Sequence, residues 1–285
     1  MRFFLLISLF FMGFYLHAQD LNYSFDLLDK NLTKNANAVV RFDEMTIDLE
    51  SKKQLNITRK KAVTVLNEKG SKHAMAYVGY DNNRKVKDIQ VIIYDASGKE
   101  LDKIKEKKFK DVSAVDGSTL YSDSRYKYYH YTPVQYPYTL ELTYEVSTEN
   151  TGEIPPAWYF LNDFMVSTEK SNVRINFSTA DLKPILKEKN LEGVEISKKE
   201  TFNSILYEAK NIGALKEESL SPTFRQVVPQ LLIRPVHFNY EGYDATVNDW
   251  NDLGKWMYGN LLKDRGELPM ATKSKVKAMV EGVDD

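Results

Sequence analysis

Val86 to Lys105, VKDIQVIIYDASGKELDKIK, is the stretch that decides the fold class. Ile89, Val91 and Ile93 alternate with Asp88, Gln90 and Ile92, the two-residue period of a half-buried strand. Asp95-Ala96-Ser97-Gly98 then turns the chain. Aspartate accepts hydrogen bonds from its own turn backbone, and glycine tolerates the positive φ that closes such hairpins. A lysine-rich return strand follows. The stretch specifies a β scaffold and carries no chemistry of its own.

The same grammar extends in both directions. Upstream, Val39 to Leu49, Leu55 to Leu66 and Met75 to Tyr80 read as strands, with turns at Ser51-Lys52-Lys53 and Asn67 to Gly70. On the second of these, Leu55, Ile57, Val63 and Val65 share a parity. Downstream, Lys99 to Lys110 holds six lysines interrupted by Glu100, Asp102 and Glu106. That composition suits an edge strand kept from sticking to other chains by its charge, rather than a patch for an acidic partner. Asp111 to Arg125 is a loop whose Asp116 and Asp123 lack calcium-loop spacing and read as turn caps. Tyr138 to Val146 alternates cleanly: Tyr138, Leu140, Leu142, Tyr144 and Val146 face in, and Thr139, Glu141, Thr143 and Glu145 face water. Val173 to Phe177, Val194 to Ser197, Phe202 to Ala209 and Gln230 to Tyr240 continue as strands, with a short helical excursion expected over Asp181 to Asn190. Strands at close spacing with turn signals between them point to a mainly β chain, a large antiparallel β-sandwich.

The period changes at Thr246. Val247, Trp250, Leu253, Met257, Leu261 and Leu262 recur at three- and four-residue steps, and Ala271 to Val280 reads as a second, more polar helix. Two short helices cannot bury their apolar faces alone, so they read as the beginning of a second domain whose body lies beyond Asp285. The expected division is an export signal over 1–19, a β-sandwich over 20–240 and a helical start over 241–285.

The signal rests on Arg2 and the nearly unbroken apolar run Phe3 to Leu16, too short for a membrane span and followed by a small residue near Gln19. An exported chain with no integral span after cleavage is implied, in the periplasm, on the surface or secreted. Lys+Arg total 39 against 40 Asp+Glu, which recommends no nucleic acid as partner. The chain has no cysteine, so a thiol nucleophile and thiolate metal sites are excluded. No phosphate loop, GxSxG elbow or HExxH helix is present. His73, His130 and His237 stand in separate expected strands. No catalytic residue, metal ligand or cofactor site is assigned.

The candidate binding residues lie in YKYYHYTPVQYPY, Tyr126 to Tyr138. Tyr126, Tyr128 and His130 share one face of a strand, with Tyr129 and Tyr131 on the other. Such a stripe stacks on sugar rings or seats a peptide; the competing reading is cross-strand aromatic packing.

RKKAVTVLNEKG (Arg59 to Gly70), IIYDASGKEL (Ile92 to Leu101), VDGSTLYSDSRY (Val115 to Tyr126) and YPYTLELTYEV (Tyr136 to Val146) together resemble a known exported domain. It is the N-terminal β domain, of unknown function, that precedes a transglutaminase-like core in large proteins of Gram-negative bacteria. NDWNDLGKWMYGNLL (Asn248 to Leu262) and LPMATKSKVKAMV (Leu268 to Val280) resemble the helical entry to that core. The resemblance implies a Cys-His-Asp machinery of papain type in the adjoining domain, and none of its members maps onto a residue here. It implies a non-catalytic module that supports that domain or presents substrate to it. The alternative is a glycan- or peptide-binding module using the tyrosine face; a hydrolase built on acidic residues is the remaining reading.

Overall fold

A computed structural model describes residues 22–115 and 122–282; the expected export signal and Asp116 lie outside them. The first half of the described chain forms strands β1 (Ala38–Ser51), β2 (Gln54–Val65), β3 (Ala76–Tyr80), β4 (Arg84–Tyr94), β5 (Glu100–Lys105), β6 (Lys110–Ser113), β7 (Arg125–Tyr129) and β8 (Tyr138–Thr148). The second half adds β9 (Ala157–Tyr159), β10 (Val166–Phe177), β11 (Ile185–Lys189), β12 (Ile196–Glu200), β13 (Ser204–Ile212), β14 (Gln230–Arg234), β15 (His237–Tyr240) and β16 (Tyr243–Thr246). Helices at Trp250–Met257 and Met270–Val280 follow.

One eight-stranded sheet, in the order β12-β13-β10-β1-β2-β8-β4-β5, forms the base. Two three-stranded sheets, β3-β7-β6 and β11-β14-β9, lie on its inner face. A shared core of Ile47, Leu55, Val63, Val91, Ile93, Leu140, Val173 and Ile175 from below and Val78, Trp158 and Leu231 from above joins the layers. The mainly β sandwich expected from the strand pattern is what forms. Its pairs are antiparallel except β1–β10, which run parallel from Ala38↔Val166 to Leu49↔Phe177.

The deciding hairpin is β4–β5. Asp95 Oδ1 accepts from Ser97 N at 2.9 Å, Ser97 Oγ at 2.6 Å and Lys99 N at 3.0 Å. Gly98 sits at φ +86°. Ile89, Val91 and Ile93 point into the core. β5 is the outer strand of the large sheet, the edge position its lysines suit.

Two expectations change. Residues 185–189 extend as β11 beside β14, so the excursion at Asp181 is a single turn, Ala180–Leu182; Pro184 cannot continue a helical hydrogen-bond ladder. The polar side of β8 is also not uniformly wet. Thr139 and Glu141 are buried because the N-terminal segment crosses the outer face, where the Tyr23 hydroxyl donates to Glu141 Oε2 at 2.6 Å and Lys60 pairs with the same oxygen at 3.2 Å.

Candidate functional site

Tyr126 and Tyr128 lie on β7, the middle strand of the β3-β7-β6 sheet. Their row neighbours are Gly79 and Val112 for Tyr126, and Tyr77 and Lys110 for Tyr128. These side chains stand on the sheet's outer face, away from Ala76 and Val78, which enter the core. Tyr77 and Tyr126 meet edge to face at 6.1 Å, and Tyr126 lies over Gly79, whose missing side chain leaves it room. With Met75 and His130 they line a shallow groove of about 600 Å³. Tyr126, Tyr128 and His130 are therefore brought to one groove. Tyr129 turns inward against Phe109, at 6.1 Å. His73 and His237 are elsewhere: His237 Nδ1 meets Thr246 Oγ1 at 2.9 Å on the β15–β16 hairpin.

A second depression was not singled out in the sequence. The two small sheets do not meet, and a cleft opens between β3 and β9 down to the large sheet. It has two connected compartments, of about 260 and 550 Å³, which share Met45, Arg59, Lys61, Met75, Tyr77, Tyr144 and Pro155. The floor is formed largely by β2, where Arg59 and Lys61 occupy the same inward parity as Leu55, Ile57, Val63 and Val65. A register shift in β1 between Val40 and Phe42 places Asp43 on that face, beside Lys61 of β2 and Ser171 of β10.

Asp43 is fully buried and takes a two-pronged contact from Arg59, Nε to Oδ1 at 2.9 Å and Nη2 to Oδ2 at 2.8 Å. Trp158 of β9 caps the cluster, its ring 5.2 Å from the Arg59 guanidinium and its Nε1 donating to Ser171 Oγ at 3.1 Å. Burial works against the Arg59 charge, but the Asp43 charge and hydrogen bonds hold its pKa above the ordinary arginine range. Lys61 has no such pairing. Burial pulls its pKa down to about 8, with Asp43 opposing and Arg59 adding to the fall. On the wall, burial lowers His73 to about 4, opposed by Asp163 and reinforced by Lys72 and Lys61. Its Nε2 is buried with no partner among the described residues. The cleft thus sets the paired Arg59–Asp43, an ammonium without an ion pair at Lys61 and a partly buried, neutral His73 between aromatic walls.

Sequence reasoning passed over Asp43, Arg59, Lys61 and Trp158, and named His73 only as a histidine in a separate strand with no role. The available signal was on β2: charged residues at two successive inward positions of an otherwise apolar parity.

Fold and clefts together define a β-sandwich with a groove and a cleft on its smaller layer. Residues 51–216, more than half of the chain, match the family described as a domain of unknown function with a solved structure (DUF3857), and the chain belongs to that family. No curated protein matches the sequence. In fold, 87% of the chain superposes on a crystal structure described as a putative protease from Parabacteroides distasonis ATCC 8503, with a TM-score of 0.61 at 13% identity. The superposed region covers 47% of that protein, so this chain spans about half its length. Two further likenesses are much weaker. Native leukotriene A4 hydrolase from Saccharomyces cerevisiae has a TM-score of 0.31 at 11% identity, over 74% of this chain and 31% of that one. An M1 zinc metallopeptidase from Deinococcus radiodurans has a TM-score of 0.29 at 8% identity, over 86% and 53%. Among the described residues no helix is long and apolar enough to cross a membrane.

Proposed function

We propose that this chain is a non-catalytic, exported β-sandwich module that docks to, and presents substrate to, an adjoining transglutaminase- or protease-like domain. The observation that carries the reading is the helical tail. Trp250 is 86% exposed, Met270 75% and Met279 67%, with Leu262, Val276 and Val280 also open to solvent. Only Trp256 and Leu253 of the first helix are tied down, against Phe238, Ala245 and Val247. So much apolar surface on two short helices suits a further folded body. A thiol nucleophile, if the activity is of papain type, belongs to that body, since this sequence has no cysteine.

The test is to read the natural frame past Asp285 and assay the product. A continuation supplying Cys, then His and Asp, with peptide-bond hydrolysis or transfer that needs that Cys, supports the reading. Turnover of a casein or peptide-amide substrate by the 285-residue chain alone contradicts it.

A second reading is favoured by the groove that holds Tyr126, Tyr128 and His130 beside Tyr77 and Val112: glycan or peptide binding by the tyrosine face itself. Loss of glycan or peptide affinity in Tyr128→Ala and His130→Ala, with thermal stability unchanged, would favour it over a purely supporting role.

A further inference from the structure

The cleft between the two small sheets is bordered by two strand edges, and the ladders show which way their backbone groups point. Ala114 N donates to Ser124 O at 2.9 Å. In an antiparallel ladder hydrogen-bonded pairs alternate. The β6–β7 register then directs the N–H and C=O groups of Tyr126 and Tyr128 toward β6. Arg125, Lys127 and Tyr129 consequently serve β3, through Tyr80, Val78 and Ala76. Tyr77 and Gly79 are left aiming their backbone groups away from β7, into the cleft.

The opposite wall behaves in the same way. Phe160 N donates to Pro229 O at 3.1 Å and Ile233 N to Pro156 O at 3.0 Å. Pro156, Trp158 and Phe160 therefore face β14, and Ala157 and Tyr159 turn their N–H and C=O groups to the cleft. Among the described residues no hydrogen bond reaches the cleft-facing groups of these four residues. β9 stands over β10 and β2 through Trp158, and β3 packs on β4. In the sheet below, β4 lies two strand positions from β2 and four from β10, at about 4.8 Å per position, so the opening between the two walls is at least one strand wide.

We propose that this cleft takes an extended acidic peptide by strand addition, its backbone pairing with β3 and β9 and a carboxylate side chain seated on Lys61. The charge argument selects the occupant. Arg59 is matched by Asp43, Lys72 by Asp163 at 3.1 Å and Arg84 by Glu153 at 3.0 Å. Lys61 has no carboxylate at ion-pair distance among the described residues, and Asp43, its neighbour across β1 and β2, is shared with the Arg59 that pairs with it, so the floor carries two positive charges against one negative. Beside Lys61 the floor is apolar at Leu142 of β8, and past Arg59 and Tyr144 it is apolar again at Ile57 and Val146. Side chains of an added strand point down at every second residue, so an acid over Lys61 with aliphatic groups among its downward neighbours suits a floor that sets one ammonium among Leu142, Ile57 and Val146. Backbone pairing supplies affinity without a fixed sequence, and the floor supplies the preference. The site lies on a different part of the molecule from the apolar helical tail, so its failure would leave the docking role untouched.

The test uses the full chain and the fluorescein-labelled peptide Thr-Val-Thr-Glu-Thr-Val-Thr, which reads the same in either strand direction, followed by fluorescence anisotropy. The expected result is saturable binding that weakens about ten-fold or more when Lys replaces the central Glu. A comparable loss is expected when the threonines beside the Glu are N-methylated, which removes backbone donors. Lys61→Met should erase the advantage of the Glu peptide over its Gln analogue. Tyr77→Pro removes a cleft-facing donor that β7 does not use, and should weaken binding of every analogue. Equal affinity for the Glu and Lys peptides, undiminished binding of the N-methylated peptide, or a Glu preference that survives Lys61→Met would overturn the proposal.

Discussion

Lys61→Met should make the protein more stable at neutral pH. Methionine keeps most of the aliphatic stem that lies along the floor and removes the charge that burial disfavours. The folded chain holds Lys61 at about 8 against an ordinary 10.5. That difference corresponds to about 3 kcal/mol of destabilisation when the side chain is protonated in both states. The sign follows from proton binding. Between about pH 8 and 10.5 the unfolded chain holds more protons than the folded one, so wild-type stability rises with pH across that window. Lys61→Met lacks this dependence. It should exceed wild type by about 2–3 kcal/mol at pH 7, and the gap should close toward pH 10.5. Urea unfolding followed by tryptophan fluorescence reads this directly, with Trp158 buried beside the cluster. The difference between variant and wild type cancels the tyrosines that titrate in the same range. A variant no more stable than wild type at pH 7, or a gap that persists unchanged at pH 10, would refute the buried-charge reasoning.

Four other outcomes follow from the structure. Asp43→Asn leaves Arg59 and Lys61 together on the floor without their counter-charge and should destabilise by about 3 kcal/mol in urea unfolding; removing the exposed Lys183–Glu200 pair by Lys183→Ala should leave the urea midpoint unchanged. His73 is held at about 4 against an ordinary 6.5, so the unfolded chain binds more protons between these values. Stability should therefore fall by up to about 3 kcal/mol on acidification from pH 6.5 to 4, and His73→Gln should remove that part of the slope in pH-dependent urea midpoints. Gly98→Val places a β-branched side chain at φ +86° with its Cβ about 2.8 Å from Ser24 N; a loss of about 2 kcal/mol or more is expected, read as a drop in the thermal midpoint.

Much of the fold was legible because its strands carry their own instructions. The alternation in β4 and β8, the Asp95–Gly98 turn and the lysines of β5 each act within a few residues, and local pattern is enough to read them. Long-range arrangements were not legible in this way. The parallel pairing of β1 with β10 joins segments more than a hundred residues apart. The burial of Glu141 depends on Tyr23 crossing the sheet, which the sequence around Glu141 does not encode. The tyrosine face was readable because Tyr126, Tyr128 and His130 share the parity of a single strand. The cleft was not, because Asp43, Arg59, His73 and Trp158 come from four separate segments and only the β1 bulge turns Asp43 inward. Arg59 and Lys61 did break the apolar parity of β2, and that interruption was the one local trace of the site.

The most direct measurement is amide hydrogen exchange on the full chain, with and without saturating Thr-Val-Thr-Glu-Thr-Val-Thr. Strand addition predicts slowed exchange at Tyr77, Gly79, Ala157 and Tyr159, on both walls of the cleft at once, with the β6-bonded amides of Tyr126 and Tyr128 unaffected. Protection confined to the tyrosine face, or none on either wall while the peptide is bound, would contradict it.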